Sequence, residues 1–128
     1  MNKTILCTGA VFGLLSVVLG AFGSHGLKEL ITEDSLSSFN TGVTYQMYHA
    51  LLLLVIGSIS KISEKHKKMI YVFITTGIVL FSFSIYFLAT NSLTSVNFKP
   101  IFFLTPIGGL LLIMGWVLLF YSALKNSK

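Results

Sequence analysis

Apolar residues in this chain fall into four long runs bracketed by charge: Thr4 to about Gly26, about Thr41 to Ser60, about Met69 to Ala89, and Pro100 to Leu124. Each run supplies the roughly 20 residues that carry a helix across about 30 Å of hydrocarbon. The pattern predicts an all-α membrane protein, a four-transmembrane-helix bundle forming a single transmembrane domain over residues 1–128. Between the first two runs, Leu27-Lys28-Glu29-Leu30-Ile31 is short and amphipathic, with Leu27, Leu30 and Ile31 on one side, which suits a helical turn lying in the interface. Asp34 or Ser35 is the expected N-cap of the second helix, and Leu36 and Phe39 start it ahead of its apolar run. Pro100 fits the first turn of the fourth helix, whereas Pro106 is expected to kink it near Gly108 and Gly109.

Small residues add a second periodicity. In the first run Gly9, Gly13, Ser16, Gly20 and Gly23 are spaced 4, 3, 4 and 3 apart. That mean step of 3.5 forms a helix-packing seam, and such small groups let backbones approach where lipid supplies no hydrophobic push. Looser sevens recur at Ala50 and Gly57, at Thr75, Ser82 and Ala89, and at Gly108, Gly115 and Ser122. The seam also bears on a rival reading, in which Lys3 and the following run, ending near Ala21-Phe22-Gly23, form a cleaved secretory signal. The run is longer than the usual apolar core of about 7 to 15 residues, and a discarded peptide has no use for a packing face.

Composition agrees with the bilayer assignment. With 54% hydrophobic and 10% charged residues, the chain has too little polar surface to coat a soluble globule. Its mean hydropathy of +0.85 points the same way. The net charge of +5 comes from nine lysines that sit mostly in short loops beside apolar runs, a pattern of lipid contact and topology control rather than of nucleic-acid binding. Lys61 to Lys68 holds four lysines against one acid, whereas Lys28 to Asp34 holds one lysine against three acids. The positive-inside rule then places Lys3, Lys61, Lys65, Lys67, Lys68, Lys125 and Lys128 at the inner side, and Lys28 and Lys99 outside. Both termini are accordingly expected in the cytoplasm, in a bacterial cytoplasmic membrane.

Candidate chemistry concentrates where the first two runs meet. Tyr45 and His49 are four apart and Gln46 and His49 three apart, so the three share a helical face. His25 closes the first run at the same side, and antiparallel packing would bring the two histidines under one lid. Polar groups in hydrocarbon are costly without partners, so His25, Tyr45, Gln46 and His49 form the candidate polar site or pocket. Four uses are open to them: a hydrogen-bonded clasp between helices, a ligand or lipid-headgroup pocket, proton-linked transport, or metal and haem ligation.

The sharper chemistries lack their other parts. Cys7 is the lone cysteine, which excludes an internal disulfide and a paired-cysteine redox or zinc site. It lies 18 residues before His25, about 27 Å along a helix, and His66 belongs to the opposite loop, so no metal and no cofactor is expected. The acids Glu29, Glu33, Asp34 and Glu64 all lie in loops, which weakens proton-coupled export. Ser24 beside His25 is adjacency without a third group to orient the base, so no catalytic residue and no enzyme is expected. Tyr71, Trp116 and Tyr121 are read as interfacial anchors at the inner side, and His66 as a solvated loop residue.

Gly20-Ala21-Phe22-Gly23-Ser24-His25-Gly26-Leu27, then Phe39 to Leu51 with its Gly-x-x-Tyr-Gln-x-Tyr-His run, then Thr105-Pro106-Ile107-Gly108-Gly109 and Gly115-Trp116, resemble a small bacterial inner-membrane family. It is the family filed as domain of unknown function 423, whose eukaryotic relatives are grouped with transmembrane protein 256. The resemblance covers essentially the whole chain and implies a multi-pass cell-membrane protein, without assigning a reaction. Ser24 stands where that pattern has alanine most often, which makes it a poor nucleophile candidate. The reading reached is a small non-catalytic accessory or lipid-interacting bundle, with membrane lipids, a second copy or another membrane protein as partners. The alternative is an oligomeric transporter or channel using the polar site.

Overall fold

A computed structural model describes residues 2–126, so Lys128, counted above among the inner lysines, lies outside the described residues. Four long helices account for most of the chain. Helix α1 (Asn2–Phe22) runs on into a π-helical turn, Gly23–Leu27, and α2 spans Glu33–Ser58. Helix α3 (Glu64–Ala89) contains a second π-turn at Val79–Phe83, and α4 (Leu104–Asn126) is entered through a 3-10 turn at Lys99–Phe103. The described residues contain no strand.

Three of the four helical stretches, Asn2–Leu27, Glu64–Ala89 and Lys99–Lys125, are long and apolar enough to cross a membrane. The expected fourth span does not meet that measure. Helix α2 has the length, but after the polar first two turns its remaining stretch carries Tyr45, Gln46, Tyr48 and His49, so it falls short in apolarity.

Two antiparallel hairpins build the bundle. In the first, the small-residue stripe of α1 faces α2: a Cβ on Gly9 would meet the Ala50 carbonyl at 2.9 Å and Leu53 Cβ at 3.1 Å, and one on Gly23 would meet the Phe39 ring at 3.1 Å. Gly13 and Gly20 face the same helix with more room, at 3.9 Å from Ala50 and 3.5 Å from Val43, and Ser16 is buried with its hydroxyl returned to the Phe12 carbonyl. In the second hairpin, a Cβ on Gly108 would collide with the backbone of Leu80 and Phe81 in the π-turn, and one on Gly115 with the Ile74 side chain. Between the hairpins lies an aliphatic core that includes Ile5, Leu53, Ile56, Ile70, Ile74 and Ile78.

The ends depart from the sequence expectations for local reasons. No separate amphipathic helix joins α1 to α2. The chain turns tightly on the Leu27 carbonyl, which accepts from the Leu30 and Ile31 N–H groups, so Leu27 is buried while Leu30 points outward. The N-cap of α2 is Thr32, not Asp34 or Ser35: its hydroxyl accepts from the Ser35 N–H at 3.1 Å, and Glu33 and Asp34 then sit in the first turn, where carboxylates suit the positive end of the helix dipole. Helix α4 continues through Pro106, which stands in the first turn of its α-helical part, a position that suits proline. The irregular backbone falls upstream of it, at Lys99–Phe103.

At the opposite end, Lys67 and His66 belong to α3 rather than to a solvated loop. The Lys67 side chain is buried, its Nζ donating to Asn2 Oδ1 at 3.1 Å and to the carbonyl of Ile59 just beyond the end of α2. A cation is favourable there because the last carbonyls of a helix lack intrahelical partners and carry its negative dipole end. The His66 ring packs on Tyr121 with centroids 5.9 Å apart.

Candidate functional site

The polar residues of α2 divide into two clusters. Successive residues on a helix are about 100° apart, so Tyr45 and Gln46 diverge by that angle, whereas Tyr45 and His49 stay within about 40° of each other. Gln46 therefore turns inward between α1 and α3, and Tyr45 and His49 turn towards α4.

Gln46 is fully buried and uses both ends of its amide. Its Nε2 donates to the Phe12 carbonyl of α1 at 2.8 Å, and its Oε1 accepts from the Tyr86 hydroxyl of α3 at 2.6 Å. One turn earlier, Gly42 makes this reach possible. A Cβ there would stand 2.8 Å from the Tyr86 ring, and the Ser82 hydroxyl donates to the Gly42 carbonyl at 2.8 Å. The ring of Tyr86 thus lies on Gly42 while its hydroxyl ends on Gln46, which explains the four-residue spacing in that stretch.

His49 is 4% exposed and also spends both its polar atoms. Its Nδ1 lies 2.7 Å from the Tyr45 carbonyl, and Trp116 Nε1 donates to its Nε2 at 2.9 Å. Since an indole N–H only donates, Nε2 carries the lone pair and Nδ1 the hydrogen. The rings meet edge to face, 5.9 Å apart at 71°. Tyr45, 42% exposed, packs its ring on Phe81 at 5.2 Å.

The structure brings Tyr45 to His49 and leaves Gln46 next door in a separate cluster. It does not bring His25 to any of them. That residue is exposed in the π-turn closing α1, level with the first turns of α2, as the Gly23 contact with Phe39 shows. It is thus about 15 Å along the helix axis from His49. Trp116 is the site residue that the sequence reading misplaced, since it packs mid-helix on His49 rather than anchoring the inner interface. Tyr71 is similarly engaged, its hydroxyl 3.0 Å from that of Thr8. Periodicity along one helix has no means of announcing a partner on another.

Beside His49 the surface opens into a cavity of about 500 Å³ between α2 and α4, lined by Tyr45, His49, Phe81, Pro106, Gly109 and Trp116 among others. A second cavity, of about 510 Å³, lies nearer the Asp34 end between the same helices. There Asp34, Ser35, Ser38 and Thr41 face Phe102 and Thr105 over a floor of Ile85 and Leu88. Thr105 shares a 2.5 Å hydroxyl contact with Ser84. Among the described residues, no group of three or more His, Cys, Asp or Glu is placed to hold a metal ion.

Comparison with known proteins agrees with the membrane fold. The family described as "Protein of unknown function (DUF423)" matches residues 19–109, which include both polar clusters of α2 and the first turns of α4. The chain is similar to the UPF0382 membrane protein of Staphylococcus epidermidis strain ATCC 12228, 42% identical over 123 residues, covering 96% of this chain and 97% of that one. UPF0382 membrane protein YwdK of Bacillus subtilis is 37% identical, covering 96% and 98%, and a UPF0382 membrane protein of Haemophilus influenzae is 34% identical, covering 100% and 99%. No solved structure matches the chain.

Proposed function

We propose, from the premise that this chain belongs to the DUF423 family of membrane proteins, that it is a non-catalytic four-span bundle acting through contact with lipid. The observation that carries this reading is the saturation of the polar join. Gln46 bonds at both ends of its amide and is fully buried, and His49 bonds at both nitrogens, so the one imidazole lone pair is engaged and the amide is shut away from a substrate or a metal. A general base must reach the proton it removes, and the basic nitrogen of His49 is already occupied by the Trp116 N–H. Passage of an ion through the bundle centre is disfavoured on the same ground, because Phe12, Gln46 and Tyr86 are locked together there.

Helix α2 is the fourth span in this proposal. Between residues 45 and 57 its Gln46 and His49 are turned inward, and the side chains it exposes there, Tyr45, Tyr48, Leu51 and Val55, are apolar or amphipathic. The lysine distribution supports an orientation with both termini cytoplasmic, the Glu64 end of α3 inside and the Asp34 end of α2 outside. Native mass spectrometry of protein extracted in mild detergent tests the whole reading. The expected spectrum holds the polypeptide with lipid at a fixed ratio; bare polypeptide in every mild detergent, or a mass increment of a metal or haem, would overturn it.

A further inference from the structure

The two cavities beside α2 lie end to end. On α2 their walls are Asp34, Ser38, Thr41, Tyr45 and His49, spaced 4, 3, 4 and 4 apart, a single stripe along one helix. The facing wall on α4 starts at Thr105 and continues through Gly109 and Ile113 to Trp116, again at steps of three and four. Leu88, Ile85 and Phe81 of α3 form the floor in that order from the outer end. We infer that this is one groove that holds a single membrane lipid with a primary-amine headgroup of the ethanolamine class, a proposal that rests on the lipid-contact function above.

Length and polarity select a lipid. From Asp34 to His49 is fifteen residues, about 22 Å of helix, close to one leaflet of a bilayer that is about 40–45 Å thick with its headgroups. The α2 wall is polar over the first about 10 Å, from Asp34 to Thr41, above a floor of Ile85 and Leu88, and the lining becomes aromatic and aliphatic below. This is the gradient of an amphiphile standing in the leaflet, headgroup at the interface and chain towards the midplane. Gly109 keeps the lower part open: a Cβ there would sit 3.5 Å from the Phe81 ring, and the glycine leaves that space to a chain. Trp116, bonded to His49, closes the inner end.

Charge selects the headgroup. The lining of the outer part holds the Asp34 carboxylate and the hydroxyls of Ser35, Ser38, Thr41 and Thr105, and no basic residue. An anionic headgroup would meet that carboxylate unpaired. A primary ammonium brings three donors to a set of acceptors, one of them charged, whereas a trimethylated ammonium brings none.

Trp116 is the sole tryptophan and stands at the end of the groove, so its fluorescence reports the chain that reaches it. The full chain is reconstituted in phosphatidylcholine vesicles containing increasing mole fractions of a lipid brominated deep in its acyl chain, with an ethanolamine, choline or glycerol headgroup. The ethanolamine lipid is expected to half-quench Trp116 at an about threefold lower mole fraction than the choline lipid, the size of one partly exposed ion pair. Asp34→Asn should merge those two curves. Gly109→Leu should remove the early phase of quenching for every headgroup, and the milder Gly109→Ala should weaken it, which covers the case in which the larger side chain prevents folding. Coincident curves for all three lipids in the unaltered chain, or a lead for the glycerol lipid, would overturn the headgroup assignment. An unchanged early phase in both folded Gly109 variants would overturn the groove. Lipid retained in the native mass spectrum with coincident quenching curves would leave the lipid-contact function standing and sink this assignment alone.

Discussion

Gln46 and His49 stand less than one turn apart on α2, and both have every polar atom bonded, yet they sit in opposite surroundings. Gln46 is enclosed by α1 and α3 and ties three helices at one point. His49 is bonded within α2 and to α4 and forms the wall of a cavity. The glycines on the two sides differ in the same sense. A Cβ on Gly9 would press on the Ala50 backbone at 2.9 Å, whereas one on Gly109 would find the Phe81 ring at an ordinary 3.5 Å. A satisfied polar group in a membrane bundle is therefore compatible with either a closed joint or an open surface, and the neighbouring glycine tells which.

That contrast fixes an order of effects. Gly9→Leu should be the most damaging change, costing about 3 kcal/mol, because overpacking against backbone moves a helix rather than a side chain. Reversible unfolding in mixed micelles measures it, and a loss as small as that of Gly109→Ala would erase the distinction between the two sides. Gln46→Leu should follow at about 2 kcal/mol, since it leaves the Tyr86 hydroxyl buried without its acceptor and removes two interhelical bonds. Adding Tyr86→Phe should recover part of that loss, and a double variant worse than the sum of the two would contradict the pairing. Trp116→Phe should cost less, and a double-mutant cycle with His49→Leu should return a coupling of about 0.6 kcal/mol, the mean for hydrogen bonds between membrane helices. A coupling near zero would mean that the Trp116 bond contributes nothing to holding α4. Gly109→Ala should be neutral or stabilising by a few tenths of a kcal/mol, through helix propensity alone. A clear destabilisation would mean that the open side is as tightly packed as the closed one.

The sequence reveals features that repeat along one helix and hides those that depend on two. The stripe Gly9, Gly13, Ser16, Gly20 and Gly23 is legible because a step of 3.5 can only describe one face, and that face does meet α2. The importance of Tyr45, Gln46 and His49 is legible from their polarity in an apolar run. Their division is not, because i, i+3 and i, i+4 spacings allow a spread wide enough for two different neighbours. Tyr86 and Trp116 are aromatic residues in apolar runs, where nothing local separates a partner from a lipid-facing anchor. His25 has the polarity of a site residue and the position of an end residue, and position prevailed. Thr32 does not stand out as a cap in the sequence because Asp34 and Ser35 offer the same chemistry two and three residues later, and helix boundaries read from sequence shift by that much.

Lys67 has a consequence for how the chain comes to be placed. As the helices enter the bilayer it is one of the lysines of a short basic segment whose charge holds that segment at the inner face in the proposed orientation. Once the helices meet, the same ammonium is withdrawn from water and bonded to Asn2 and to the carbonyl beyond α2. In the proposed orientation one residue would serve two stages of biogenesis in turn, first as an address and then as a latch, so a neutral replacement is expected to impair both orientation and assembly, and replacement of Lys65 or Lys68 beside it orientation alone.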